Sequence, residues 1–295
     1  MAHLDHVIML VPYASLAHPP TWITDNFTIT PGGQHADKET ENRLICFRDG
    51  SYVELIAFVN DDPKNREGHR WGGKQFGIID FAFTHRTGNA ADLFSELQER
   101  LDGVQWKESE AKVEYHPPVV GGRKRPDGKE VKWTVTTPIT TTGYHGGQLP
   151  FFCHDVTPRS VRVPVSDEAV THPNGVYGIK QLTIFVDESK IGTLTRAYGA
   201  IAGVPISSPD DSQGSFNLNR LAEVDGTKTA QFNLRTPTRQ WQVDSMAERG
   251  GVFLGSLTFG GLVASGKAES SSRIGYGKDG TGEVSLDLEI LPLGT

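Results

Sequence analysis

The sequence predicts an α+β fold built from repeated βαβββ modules. Three segments run through the same order of elements: a strand, a helix, then about three strands. The opening strands of the segments are apolar runs, each carrying a polar or ionisable side chain, and each can be laid over the others by pattern. Gly (33) and Pro (17) are frequent, as expected where turns are many and strands short.

The first segment spans about 3–60. It opens with a strand at 4–11, Leu-Asp-His-Val-Ile-Met-Leu-Val. A short helix is expected around 19–26, because Pro is tolerated in a first helical turn. Strands follow at Phe27–Thr30, Arg43–Phe47 and Tyr52–Phe58, punctuated by Gly32-Gly33 and Asp49-Gly50. The second segment spans about 76–156. It opens at Phe76–Phe83, and Leu93, Phe94, Leu97 and Leu101 then mark an amphipathic helix over 90–101. Strands are expected at Val113–His116, Val131–Thr136 and Leu149–His154. These two modules make a domain over 1–160, and Arg159–Thr171 reads as a linker.

Residues 175–295 read as a third, divergent module. It has a strand at Tyr177–Val186, a helix at 191–202 and strands at Gln231–Leu234 and Trp241–Val243. A helix at 244–251 and a half-exposed final strand at Glu283–Ile290 complete it, with 261–281 a Gly-rich loop or hairpin.

The net charge of −7 leaves no electrostatic footprint for nucleic acid. The basic cluster Gly122-Arg123-Lys124-Arg125 beside Pro126-Asp127-Gly128 reads as a solvated hairpin loop. Cys46 and Cys153 sit in strand-like runs and read as buried, reduced thiols. No apolar leader and no long apolar span is present, so a cytoplasmic protein with no membrane partner is expected. No phosphate loop or nucleophile elbow appears, so no nucleotide cofactor is expected.

His6 and Glu54 are ionisable groups inside apolar strands, and burying them is costly unless they are paired or bound. They point to a shared site; a buried pair that only holds strands in register is the alternative. Pattern alignment puts His6, Asp80 and Gln181 in one column, and Glu54 and His154 in another. His6, Glu54, Asp80 and His154 would suit a divalent ion such as Zn, Fe, Ni, Co or Mn. His35 and Asn42, near Gly32-Gly33, could address a substrate's oxygen atoms and join His6 and Glu54 as catalytic candidates. The Gly pair itself reads as a turn with positive φ. Trp71, Tyr144 and His145 flank strand ends and would line a pocket or simply pack; His3, His18, His69, His85, His116 and His172 read as solvated or loop histidines.

Leu4-Asp5-His6-Val7, Thr30–His35, Glu41-Asn42-Arg43-Leu44 and Gly50–Ile56 resemble the vicinal-oxygen-chelate superfamily, in its glyoxalase-like group. Leu149–Phe152 and the strand at 76–83 extend the resemblance, which covers residues 3–156 well and weakens beyond about 175. It implies paired modules forming a curved mixed sheet around a pocket, with a His on each opening strand and a Glu on each closing strand as metal ligands. His6 and Glu54 match; Asp80 stands in place of a His and His154 in place of a Glu. The implied function is metal-assisted or acid–base isomerase or lyase chemistry on a small oxygenated substrate. The alternatives are a metal-free protein that sequesters a small molecule, and a ring-cleaving iron dioxygenase using His6, His154 and Glu54. A homodimer is plausible, because an odd module could pair with a symmetry mate.

Overall fold

The computed structural model describes residues 1–140, 143–204, 207–210, 213–224, 227–263, 270–275 and 285–292, the side chains as far as Gly261 apart from those of 207–210 and 227–228. The first module is β1 (His3–Leu10), short helices α1 (Tyr13–Ala17) and α2 (Thr21–Thr24), then β2 (Thr30–His35), β3 (Thr40–Cys46) and β4 (Tyr52–Phe58). Pro20 is the N-cap of α2, which is the expected helix shortened to 21–24, while α1, before the Pro-Pro pair, was not expected. The second module is β5 (Gly77–Thr84), α3 (Ala90–Asp102), β6 (Val119–Lys124), β7 (Glu130–Thr136) and β8 (Phe151–Asp155). Asn89 caps α3, and its buried face is Leu93, Leu97 and Leu101.

The two modules close into a ring. Going round it, β1 pairs with β4, then β3, β2, β6, β7, β8 and β5 follow, and β5 returns to β1. β1 lies parallel to β4 and antiparallel to β5, with His6 beside Tyr52 on one side and Ala82 on the other. Closure leaves no free strand edge in this half, and alternate residues of each strand point inward.

Beyond the ring come α4 (Arg159–Arg162) and α5 (Asp167–Val170), then β9 (Val176–Val186), α6 (Glu188–Ala202), β10 (Ser207–Asp210), β11 (Gln213–Val224) and β12 (Thr227–Arg235). α7 (Gln240–Glu248), β13 (Val252–Val263), β14 (Ser270–Gly275) and β15 (Ser285–Pro292) follow. The order β9-β12-β11-β10 repeats β1-β4-β3-β2, and β13 lies antiparallel to β9 as β5 does to β1. β15 then lies parallel to β13, with β14 against it.

One apolar core joins the halves. Phe81 and Phe83 of β5 pack on Phe232 of β12, with ring centroids 5.7 and 5.4 Å away, and Tyr198 of α6 stacks over Phe81. The Tyr198 hydroxyl donates to the Gln148 carbonyl at 2.6 Å.

Several local expectations change. Phe27–Ile29 lie before β2 rather than in a strand, and Val113–His116 make a single bridge, Tyr115 to Pro138. The basic cluster is not a solvated loop: β6 runs through Lys124, and the turn falls at 125–129. Gly32-Gly33 lies within β2 rather than in a turn, which comes at 36–39. Trp241–Val243 belong to α7, where the Gln242 side chain accepts from the amides of Thr238 and Arg239 and fixes the helix start earlier. The stretch 159–171 holds two helical turns rather than a plain linker. Parts of 261–281 and of the final strand lie outside the described residues.

Candidate functional site

A cavity of about 80 Å³ opens inside the ring. Every ring strand except β5 supplies a wall residue: His6 from β1, His35 from β2, Asn42 from β3, Tyr52 and Glu54 from β4, Arg123 from β6, Trp133 and Val135 from β7, and Phe151 and Cys153 from β8. Arg70 and Trp71 close it from the loop after β4, and Arg162 reaches it from α4.

Strand alternation explains the choice of residues. Asn42 and Leu44 face inward on β3, as Tyr52 and Glu54 do on β4, so Asn42 and Glu54 meet. His35 and Arg123 are cross-strand neighbours between β2 and β6. Gly32 is needed where β2 crosses Asn42: a Cβ there would lie 2.1 Å from Asn42 Oδ1 and 2.2 Å from its carbonyl oxygen. It acts by leaving room, not through a positive φ.

The polar groups form a directed chain. Arg123 Nη1 donates to Asn42 Oδ1 at 2.8 Å, which fixes the amide orientation. Asn42 Nδ2 then donates to Glu54 Oε1 at 2.6 Å and lies 3.3 Å from His35 Nε2. His35 Nε2 is therefore the acceptor, and its Nδ1 donates to Thr40 Oγ1 at 2.7 Å. Burial pushes the His35 pKa down, with Arg123 and His6 adding to it against Glu54 and Asp37, consistent with a neutral ring.

Asp5 governs His6. Burial alone would raise the Asp5 pKa, but Arg162 and Arg159 outweigh it and hold the carboxyl well below its ordinary range. Arg162 donates to both Asp5 oxygens, at 2.9 and 3.1 Å, and Arg159 approaches to 2.6 Å. An ionised Asp5 only accepts, so the 2.8 Å contact is a donation from His6 Nδ1. His6 Nε2 is left facing Glu54 Oε2 at 3.4 Å, with the ring stacked on Tyr52. Burial would raise the Glu54 pKa too, yet His6, the Asn42 amide and Arg123 carry it below the usual value. The site thus holds an ionised, buried carboxylate with one oxygen capped and the other against an imidazole nitrogen.

The structure brings His6, Glu54, His35 and Asn42 together; it does not bring Asp80 and His154 to them. Asp80 accepts from Arg70 Nη2 at 2.6 Å and Trp71 Nε1 at 2.8 Å, behind the cavity wall. His154 faces the other side of β8, where its Nε2 lies 3.1 Å from His85 Nδ1 beside a second cavity. The reason is register: Val135 pairs with Cys153, so Cys153 faces inward and its neighbour outward. The Glu54 column therefore ends in Cys153, whose thiol pKa burial raises.

The donor set does not fit the four-ligand chelate implied by the resemblance. One half of it is present; the other half is a carboxylate tied to a guanidinium and a protonated thiol, with Arg123 close by. The iron triad of His6, His154 and Glu54 is not assembled either. Among the described residues, Asp37, Glu39 and His69 bring metal-competent atoms within 4.8 Å of one another, at the β2–β3 turn and the loop after β4.

Of the other candidates, Trp71 lines the cavity, whereas Tyr144 donates to the Ala111 carbonyl. His145 is likewise outside it. His172 is not a solvated residue: it is buried, its Nδ1 accepts from the Thr28 amide and its Nε2 donates to the Cys46 carbonyl. Cys46 and Cys153 are buried free thiols.

The family model for the glyoxalase-like domain matches residues 4–202. The chain therefore belongs to the glyoxalase-like domain family, and its closed ring of paired modules has the fold of the vicinal-oxygen-chelate superfamily. It is similar to a hypothetical protein from Staphylococcus aureus, with a TM-score of 0.68 and 14% identity over 99% of this chain and 100% of that one. It also matches a mutant 4-hydroxymandelate synthase from Streptomyces coelicolor, with a TM-score of 0.46 and 12% identity over 90% of this chain and 72% of that one. A halotolerant catechol dioxygenase, BphC, matches with a TM-score of 0.48 and 8% identity over 98% and 86%. None of the curated proteins matches the sequence significantly. No helix among the described residues is long and apolar enough to cross a membrane.

Proposed function

We propose that this protein is an enzyme that moves a proton on a small oxygenated substrate held in the ring cavity. The observation that carries this reading is the ionised Glu54 carboxylate beside His6 Nε2, deep in a cavity walled by aromatic rings. Glu54 Oε2 is placed to take a proton from a carbon next to a carbonyl. His6, oriented by Asp5 and carrying a proton on both ring nitrogens, donates Nε2–H to the oxygen that gains charge as the proton leaves. Asn42 holds Glu54 Oε1 and so fixes the direction of the base; His35 supports that amide. Positioned acid–base groups of this kind contribute roughly 10²–10⁴-fold to a rate. A lowered pKa keeps Glu54 ionised at neutral pH but makes it a weaker base, so the hydrogen bond from His6 to the substrate oxygen carries part of the activation. This chemistry proceeds through the chain's own residues.

The size of the cavity limits the substrate. A water needs on the order of 10–15 Å³ of such space, so about 80 Å³ suits a molecule of only a few carbon atoms.

The test is deuterium incorporation in D2O, followed by proton NMR on dihydroxyacetone, glyceraldehyde, lactate and pyruvate. Wild-type protein should exchange the hydrogen next to the carbonyl of at least one probe, and Glu54→Gln should slow it by roughly 10² or more. Binding without exchange, or exchange unaffected by the substitution, would overturn the reading and leave a sequestering protein.

A further inference from the structure

We propose that the ring cavity recognises a small monocarboxylic acid through Arg123. The inference rests on the reading of this cavity as the reactive site and adds the class of molecule that enters it.

Three guanidiniums reach the cavity, and they differ in what they touch. Arg162 is matched by Asp5 and Asp155, and Arg70 by Asp80. Arg123 is the one of the three with no carboxylate in contact: its Nη1 donates to the Asn42 amide oxygen and its Nη2 to the Arg162 carbonyl at 2.9 Å. It is 94% buried by its 6% exposure, and its Nε–H has no partner among the described residues. A buried cation without a matching anion is costly, and an unmet buried N–H adds to that cost. Both are relieved by one acceptor carrying one negative charge.

Glu54 stands one amide away from Arg123, beyond Asn42. When Glu54 takes a proton, its charge is lost and Arg123 is left facing the substrate alone. An acid already bound there supplies the charge at that moment. A monocarboxylate matches the one cavity guanidinium that no carboxylate touches. A phosphate dianion would bring excess charge next to Glu54, where like charges repel.

Trp71 and Trp133 line the cavity, so their fluorescence reports occupancy. Acetate, butyrate and lactate are titrated against acetamide, butyramide and lactamide, with inorganic phosphate alongside. Each acid is expected to bind at least ten-fold tighter than its amide. Arg123→Met should remove that preference, and Arg123→Lys should keep part of it. Glu54→Gln should bind the acids at least as tightly as wild type. The proposal is overturned if no acid binds tighter than its amide to wild-type protein, if phosphate binds tighter than every acid, or if the preference survives in a folded Arg123→Met. Should Arg123→Met fail to fold, the wild-type comparison and Arg123→Lys decide. Acid preference without deuterium exchange keeps the carboxylate site and removes the catalytic reading; Glu54-dependent exchange without acid preference does the reverse.

Discussion

Asp5 does not line the cavity, yet it sets which nitrogen of His6 faces Glu54, and two arginines keep it ionised to do so. Removing one member of such a buried network leaves a stranded charge, which costs roughly 3–5 kcal/mol. Arg162→Met should lose about that much in urea unfolding at neutral pH. Asp5 titrates below its ordinary value when folded, so its contribution is present above pH 3.8 and is lost as pH falls below it. In the variant that part of the acid loss should shrink. His172 works in a higher window. Burial takes its pKa from 6.5 to about 4, so the neutral form is favoured by folding; the contribution is full above 6.5 and lost as pH falls toward 4. That shift corresponds to about 3 kcal/mol. Unfolding curves across pH 4–7 should therefore be flatter for His172→Asn than for wild type.

At the scale of elements, β2 and β3 carry the positioning of Glu54. Gly32→Ala would force β2 away from Asn42, since the clash is with backbone as well as side chain. Overpacking of this kind costs typically 1–3 kcal/mol, and the variant should also lose Glu54-dependent exchange, while Gly73→Ala, with open space beside it and no positive φ, should keep it. Unchanged exchange in a folded Gly32→Ala would show that the contact is not needed. The same scale shows what the residues disclosed. His6 and Glu54 were legible because an ionisable group inside an apolar run demands a partner. His35 and Asn42 were legible from the Gly32-Gly33 neighbourhood, although the glycines serve a close strand crossing. Arg70, Arg123 and Arg162 were not legible. Arg70 and Arg123 lie in polar stretches that look like surface and Arg162 in a stretch that reads as a linker; the loop after β4, the β2–β6 pairing and α4 respectively bring them to the cavity. The one available signal was Arg162 set between Val161 and Val163. His154 was misplaced by one residue because strand alternation reverses facing with each step, and only the partner β7 sets the phase.

At the scale of the molecule, the aromatic contacts between β5, α6 and β12 make the two halves share one core. Unfolding should be one transition: far-UV circular dichroism and the fluorescence of the tryptophans should follow the same denaturant curve. Separate midpoints would show that the second half is an independent unit. The strand order around the ring and its repetition after residue 176 follow a pattern the opening segments already displayed. What the linear pattern left hidden is the second use of that order by β13 and β15, because their flanking segments lack the helical spacing that marks α3.

Ring closure has a bearing on how the protein is made. β1 precedes all of its partners in the chain: β4 and β5 flank it, β11 meets it at His3, and β5 is itself held by β8 at residues 151–155. On the ribosome, β5 must wait until residues 151–155 have been made before its second edge is paired. During that wait an apolar strand with one unpaired edge is exposed, which is the condition that invites aggregation. The demand this chain places on chaperones should thus fall at the point in synthesis when β8 emerges.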